Sequence, residues 1–240
     1  IASGATLDLQ NVNYTTTEAI TNNGGTLATS TGTSAYAGVM TLGADSTVDV
    51  DGTQLTISTA IGDGSGGYAI TKDGNGTLVL SATSTYTGDT TISAGTLKLT
   101  GNLNSATDLV IAPSATLDLQ AALTAATLDL DGTISNTAGT SSLIISGTAN
   151  LGGSITTTGT QTYSGAVTLS AATITLTTTN SDVTFGGTID SDVGQTRHLT
   201  IDTNGTTGTI QFGGLVGNTV ALGAIGITGN LDLDANIVGA

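Results

Sequence analysis

The chain alternates apolar and polar residues through most of its length, in short runs separated by Gly, Asn, Asp and Ser. A period of two places successive side chains on opposite faces of a strand, so that one face is buried and the other is wet. No stretch carries the i, i+3, i+4, i+7 apolar stripe of an amphipathic helix. The pattern therefore predicts an all-β protein with strands within 6–10, 47–57, 77–81, 96–100, 108–112, 116–120, 127–134, 142–146, 173–179, 183–189, 198–203, 208–214 and 225–234.

One unit recurs along the chain, at residues 36–50, 86–99 and 163–176. Each copy opens with Tyr, a small or hydroxyl residue and Gly, and then alternates, which is typical of a repeat architecture. Thr77, Thr96 and Thr116 begin similar strands at spacings of 19 and 20 residues. That spacing fits one coil of a parallel β-helix with three strands. At about 20 residues a coil, the whole chain of 240 residues would make about 10 to 12 coils, stacked about 4.8 Å apart.

The predicted fold is accordingly a single-stranded parallel β-helix that forms one continuous segment over residues 1–240. Small aliphatic residues can fill so narrow an interior. An antiparallel sandwich or barrel is the alternative, but the few Asn-Gly and Asp-Gly pairs do not lie between matched strands. The chain opens on Ile-Ala-Ser without Met, and the apolar Ile237–Val238 tail does not look like a polar cap. We expect the segment to continue in a longer chain or to assemble end to end.

The composition limits the partners of the chain. Charged residues make up only 9% of it, the net charge is −15, and Lys plus Arg number three. A chain this acidic cannot neutralise a phosphate backbone or an anionic lipid surface, which argues against nucleic acid as a partner. No apolar run reaches 18 residues, so we expect no membrane insertion as a helix.

Residues 67–101 resemble the autotransporter-associated β-strand repeat of large bacterial surface proteins. The matching elements are a Lys72-Asp73-Gly74 turn, the strand from Gly76, Tyr86-Thr87-Gly88, and Ala94-Gly95-Thr96-Leu97. The rest of the chain is similar in style to filamentous-haemagglutinin-like giant adhesins. The resemblance implies a right-handed parallel β-helix outside the bacterial cell, and it supplies no catalytic residue.

Two motifs suggest ligand sites. Gly62, Gly64 and Gly67 have the spacing of a dinucleotide-binding loop, but a strand follows instead of the helix that would hold a pyrophosphate. Asp residues two apart share one face of a strand, which suits calcium. However, a calcium loop needs further ligands, and Glu18 is the single Glu. We therefore interpret as solvated surface groups the pairs Asp49 with Asp51, Asp129 with Asp131, Asp190 with Asp192, and Asp232 with Asp234.

Catalytic chemistry has little support in the residues. The single His, His198, follows Arg197, and alternation places the two on opposite faces of a strand, so a nucleophilic triad is not expected. A polysaccharide-cleaving β-helix would gather Asp with basic residues, whereas Lys72, Lys98 and Arg197 are far apart in sequence. Thr-x-Thr runs are typical of ice-binding solenoids, but here they are irregular.

The sequence thus predicts no catalytic residue, no cofactor and no metal. The favoured function is a structural or adhesive stalk segment of a secreted or cell-surface bacterial protein. Its expected partners are host or matrix glycans and proteins, or copies of itself. The alternatives are a subunit of an extracellular filament or sheath that assembles end to end, and a polysaccharide-active enzyme.

Overall fold

The strands of the chain pair in parallel and stack as a β-solenoid of about 11 coils, in a computed structural model that describes residues 1–234, 236 and 237. Thr77 lies beside Thr96, and Thr96 lies beside Thr116, so the spacings of 19 and 20 residues are each one coil. The predicted all-β parallel solenoid and its number of coils are confirmed. No helix occurs in the described residues, and none could therefore cross a membrane.

The solenoid has three faces, and most coils contribute a strand to each of them. The face called sheet one here has ten strands, which are Thr6–Asp8, Thr26–Thr29, Ser46–Val50, Ile70–Asp73, Thr90–Ile92, Asp108–Ile111, Thr127–Leu130, Ala149–Leu151, Val167–Leu169 and Ile189–Ser191. Sheet two has eleven strands, which are Asn13–Tyr14, Thr33–Tyr36, Gln54–Ile57, Thr77–Leu80, Thr96–Leu99, Thr116–Leu119, Thr133–Ser135, Ile155–Thr156, Thr173–Thr177, His198–Asp202 and Ile225–Thr228.

The third face has strands toward both ends of the solenoid and none in the described coils between them. Its first three strands are Ile20–Asn23, Met40–Ala44 and Ile61–Gly62. Its last six strands are Ala122–Ala125, Ser142–Ile145, Gln161–Tyr163, Val183–Phe185, Thr209–Phe212 and Asn230–Leu233. In the middle coils the backbone still bonds from coil to coil, as where Thr85 N donates to Ile61 O at 2.8 Å.

Inward side chains form columns that run along the solenoid axis. In sheet two, Leu78 and Leu97 lie in register between Leu55 and Leu117, and all four are buried. Leu80 and Leu99 form the neighbouring column, so the alternating residues of these strands are buried on one face, as their period of two predicts. Burying a leucine side chain contributes about 1.5–3 kcal/mol, and each column repeats that gain at every coil.

The few aromatic residues are concentrated inside the solenoid. Tyr163, Phe185 and Phe212 occupy one inward column of the third face, with ring centroids 5.2 and 5.4 Å apart and nearly parallel planes. The hydroxyl of Tyr163 donates to Oε1 of the buried Gln161. Stacking in register thus lets a narrow core accept aromatic rings that the sequence pattern did not require.

The recurring Tyr-x-Gly unit does not occupy one place in the coil. Tyr163 lies in the third face, and the chain after it forms a strand of sheet one and then a strand of sheet two. The chain after Tyr86 also forms a strand of sheet one and then a strand of sheet two. Tyr36 instead ends a strand of sheet two, so its unit is displaced by one face. Because all three faces need the same inward and outward alternation, one sequence pattern fits any of them.

Corners divide several of the long predicted strands. Residues 47–57 and 127–134 each contribute one strand to sheet one and one to sheet two, with Gly52 and Gly132 between them. At the equivalent corner of the next coil, a Cβ on Gly153 would lie 1.7 Å from the carbonyl oxygen of Gly132. Glycine is needed here because successive corners stack backbone on backbone. Alternation continues around each corner, which is why the sequence pattern did not reveal it.

Apolar side chains are exposed at both ends of the described solenoid. Leu7, in the first strand of sheet one, is 38% exposed, and Leu231 and Leu233, in the last strand of the third face, are 49% and 47% exposed. Ile237 bridges to Val216 and is also exposed, whereas Val238 of the predicted apolar tail lies outside the described residues.

Candidate binding surfaces

The outer face of sheet one carries a single file of threonines. Thr6, Thr26, Thr47, Thr71 and Thr91 follow one another in register on five consecutive coils. The same file then continues through Val110, Asp129, Asn150, Thr168 and Asp190. The hydroxyl groups therefore repeat at the coil spacing along half of the solenoid, as hydrogen-bonding groups that point to solvent.

Acidic side chains flank this threonine file. Asp8, Asp49 and Asp73 lie two residues farther along their strands, in a column that Ala28 interrupts. Burial, together with the charges of Asp51 and Asp73, raises the pKa of Asp49 above its ordinary value. The outer face of sheet one is thus a strip of hydroxyl groups beside a strip of carboxylates.

Sheet two also presents its threonines in single file. Thr77, Thr96, Thr116 and Thr133 are in register, but the next outward column reads Val79, Lys98, Asp118 and Ser135. An ice-binding surface needs two threonine columns side by side on every coil. Neither of these files has such a partner column, so the arrangement does not provide that lattice.

The four predicted Asp pairs do not converge on a metal. Asp129 accepts a hydrogen bond from the Asn150 side chain, Asp234 accepts one from Gln211, and Asp192 forms an ion pair with Arg197. Within residues 1–234, 236 and 237, no three His, Cys, Asp or Glu side chains group closely enough to hold an ion.

Aspartates instead connect successive coils, a role that sequence reasoning missed. Six of them each accept a hydrogen bond from a backbone N–H of the following coil, at N···O distances of 2.7 to 3.0 Å; they are Asp8, Asp45, Asp63, Asp118, Asp182 and Asp190. For Asp8, the hydrogen bonds from Ser30 lower the pKa of the carboxyl. Backbone N–H groups at corners lie outside the hydrogen-bond ladders of the sheets, and a carboxylate accepts a strong hydrogen bond from them. These aspartates lie within strands or next to them, 19 to 29 residues before the amide that each one binds, so no single local pattern in the sequence marks them.

The Gly-rich loop at residues 62–67 is closed by its own carboxylate. Asp63 accepts from the backbone N–H groups of Ser65, Gly67 and Tyr68, and from both N–H and Oγ1 of Thr87. Burial acts to raise the pKa of Asp63, but these donors outweigh it and bring the pKa to about 2. The amides that could have cradled a phosphate already bind Asp63, and a strand rather than a helix follows at Ile70–Asp73. The loop is therefore a structural corner.

Arg197 and His198 do not cooperate in the structure. Nε and Nη2 of Arg197 bind the two carboxylate oxygens of Asp192 at 2.6 and 2.7 Å. Nδ1 of His198 accepts the backbone N–H of Ala224 at 2.8 Å. Ser191 Oγ accepts from the Arg197 backbone N–H and donates to Ala221 O, so His198 does not activate it.

The remaining two basic residues lie apart as well. Lys98 points outward from sheet two, in register with Asp118. Lys72 is fully buried, and burial is the main reason that its pKa falls to about 8. The sequence suggested a turn at Lys72-Asp73-Gly74. In the structure Lys72 lies within the strand Ile70–Asp73 and points inward, so that the turn begins only after Asp73. No basic cluster for an acidic sugar forms from these residues.

The comparison with protein families bears on the segment that contains Lys72. Residues 70–99 match the passenger-associated-transport-repeat. The match covers 30 of the 240 residues and lies inside the stretch 67–101 that showed the resemblance. The matched repeat and the β-solenoid together fit a β-helical repeat of an autotransporter passenger, which confirms the resemblance. No curated protein and no solved structure matches the chain.

Proposed function

We propose that this chain is a structural and adhesive stalk segment in the passenger of a secreted or cell-surface bacterial protein. Residues 1–240 would form one continuous part of a longer β-helix. The observation that carries the proposal is a β-solenoid of about 11 coils that includes a passenger-associated-transport-repeat at residues 70–99. A parallel β-helix in which every coil bonds to its neighbours is stiff, and it repeats the same outer groups at a fixed spacing.

The outer face of sheet one is the surface that we propose for adhesion. Its threonine file offers hydrogen-bond donors and acceptors without positive charge, so it suits neutral glycans or polar protein surfaces and repels acidic polymers. Each contact would be weak. Binding at several coils along one long partner would raise the avidity without any single strong site.

The experiment compares two triple variants of equal composition. Binding of the segment to a panel of matrix proteins and neutral glycans is measured for the wild type, for Thr47, Thr71 and Thr91 changed to Ala, and for Thr77, Thr96 and Thr116 changed to Ala. The first variant removes hydroxyls from sheet one, and the second removes the same number from sheet two. Loss of binding in the first variant alone supports the proposal. If no member of the panel binds, or if both variants bind as the wild type does, the proposal is wrong.

One alternative is an extracellular filament that assembles end to end. Leu7 at one end and Leu231, Leu233 and Ile237 at the other are each more than a third exposed. Two ends of this kind could stack, with the last strands of one copy on the first strands of the next. Light scattering and electron microscopy test this alternative. Rods that lengthen with concentration, and that Leu231→Glu abolishes, would favour it, whereas discrete monomers at every concentration would exclude it.

A polysaccharide-active enzyme is the remaining alternative, and no observation here favours it. Release of reducing sugar from a panel of acidic glycans would be the result in its favour. We propose that the chain is not an enzyme, since its basic residues are separately engaged or apart.

A further inference from the structure

One inward column of sheet one contains a lysine. The column reads Leu27, Val48, Lys72, Ile92 and Ile111 on five consecutive coils, and all five side chains are buried. Alternation thus places an ammonium group where the neighbouring coils place methyl groups. A buried charge is costly unless hydrogen bonds replace its water.

Three backbone carbonyls supply those hydrogen bonds. Nζ of Lys72 donates to Asp73 O at 2.7 Å, to Gly74 O at 2.7 Å and to Ala94 O at 3.1 Å. An ammonium group has three N–H donors, so its number of donors equals its number of acceptors. The first two carbonyls belong to the same coil as Lys72, and the third belongs to the next coil.

These carbonyls depend on the ammonium group. Gly74 and Ala94 lie at corners outside the strands, and within the described chain no backbone N–H donates to the carbonyl of either. The carboxylates of Asp73, Asp49 and Asp51 add negative charge nearby, although none of them forms an ion pair with Lys72 among the described residues. These oxygen atoms favour the positive charge of Lys72, although burial outweighs them and lowers the pKa of Lys72 to about 8.

We propose that the carbonyls of Asp73, Gly74 and Ala94 form a binding site for a small monovalent cation, with the Lys72 ammonium as its resident cation. Oxygen distances of 2.7 to 3.1 Å exceed the 2.3–2.6 Å of calcium coordination, and they suit an ammonium ion or a large monovalent metal ion. All four residues of the site lie within the matched repeat at residues 70–99. The resident cation fastens one corner of this segment to the corner of the next coil.

The first test uses the wild-type chain, whose only two lysines are Lys72 and Lys98. An amine-reactive ester should modify Lys98 at least about 100-fold faster than Lys72, as followed by mass spectrometry of the peptides. In ¹⁵N-lysine spectra at neutral pH, Lys72 should give a slowly exchanging ammonium signal, while the outward, partly exposed Lys98 exchanges rapidly. Lys98→Arg assigns the signal. Equal modification rates, or no protected ammonium signal, would overturn the proposal.

The second test empties the site and refills it from solution. In Lys72→Ala, n-propylammonium supplies the atoms that the substitution deletes, whereas 1-propanol fills the same space without charge. Tetramethylammonium supplies charge without N–H donors. We expect 100 mM n-propylammonium to raise the Tm of Lys72→Ala by about 3–5 °C and to leave the wild type unchanged. Equal effects of propylammonium and propanol would show that only volume is recognised, and the cation site would be wrong. If Lys72→Ala does not fold, the labelling test on the wild type decides.

Discussion

The strand that contains Leu97 and Lys98 allows two adjacent substitutions with opposite expectations. Leu97 is buried between Leu78 and Leu117, and Lys98 is outward and in register with Asp118. We compare Leu97→Asp with Lys98→Asp, so that the same side chain is introduced on the two faces of one strand. The difference between the variants then measures burial and not β propensity.

The magnitude follows from the packing of the column. Truncating a buried leucine costs about 2–5 kcal/mol, because surrounding atoms only partly fill the space. Backbone bonds to both neighbouring coils hold the strand at a fixed separation, which favours the upper half of that range. An unpaired carboxyl adds a desolvation cost, so Leu97→Asp should lose more than about 4 kcal/mol. Lys98→Asp places a like charge opposite Asp118 and should lose no more than about 1 kcal/mol.

Urea unfolding and hydrogen exchange together provide the assay. Because each coil contacts mainly its neighbours, the damage should be local as well as large. In Leu97→Asp, amides of Thr77–Leu80 and Thr116–Leu119 should lose protection, whereas those of Thr173–Thr177 should retain it. Equal unfolding midpoints for the two variants would refute the assigned register, and uniform loss of protection would refute the nearest-neighbour picture.

Four further outcomes are expected. The pKa of Lys72 is about 8 in the folded protein and about 10.4 in an unfolded chain, so the folded protein binds fewer protons between these pH values. The free energy of unfolding, measured with urea, should therefore rise by about 2–3 kcal/mol from pH 8 toward pH 10. Lys72→Met should abolish this rise, and an equal rise in the variant would contradict the low pKa of Lys72. The pKa of Asp63 is lowered to about 2, so its contribution to the free energy of unfolding is present above pH 4 and should be lost as the pH falls through 2. Asp63→Asn should reduce the loss of stability at acid pH. An unchanged acid dependence of stability would count against closure of the loop by Asp63. Gly153→Ala forces a Cβ onto a backbone oxygen and should prevent stable folding. Gly64→Ala, where the space is open but φ is +58°, should cost only about 1 kcal/mol of stability by thermal melting. Similar Tm values for the two variants would contradict the stacking of glycine corners. Circular dichroism should show β structure with negligible helix, and a helix content above about 15% would contradict the fold.

The period of two and the spacing of 19 and 20 residues between similar strands were enough to predict the solenoid, but not the position of each unit around the coil. Leu78 and Leu97 point inward as their alternation requires. Tyr36 lies on a different face from Tyr163 although their units look alike, because every face demands the same alternation. The choice among faces depends on where corners fall, and corners depend on contacts between residues about 20 positions apart.

For the candidate surfaces, the sequence predicted which residue types are abundant but not how they are aligned. The abundance of threonine was visible, but the alignment of Thr47, Thr71 and Thr91 in one file needs the length of each coil. Lys72 was missed because its three carbonyl partners depend on backbone geometry at two corners. Asp190 was interpreted as a solvated surface group because its partner, the backbone N–H of Thr219, lies on the following coil.

The hydrogen bonds that link a backbone N–H of one coil to an aspartate of another all run in the same direction along the chain. In the described chain, each carboxylate that accepts a backbone N–H from another coil accepts it from the coil that follows, as Asp118 does from Thr137 and Asp182 from Thr209. In the described residues, a coil therefore carries carboxylate acceptors for the backbone N–H groups of its successor but no carboxylate acceptor for those of its predecessor. A fragment that keeps the early coils retains a template on which the next corner can order. A fragment that begins later exposes corner amides whose partners have been removed, so truncation from the two sides is not equivalent.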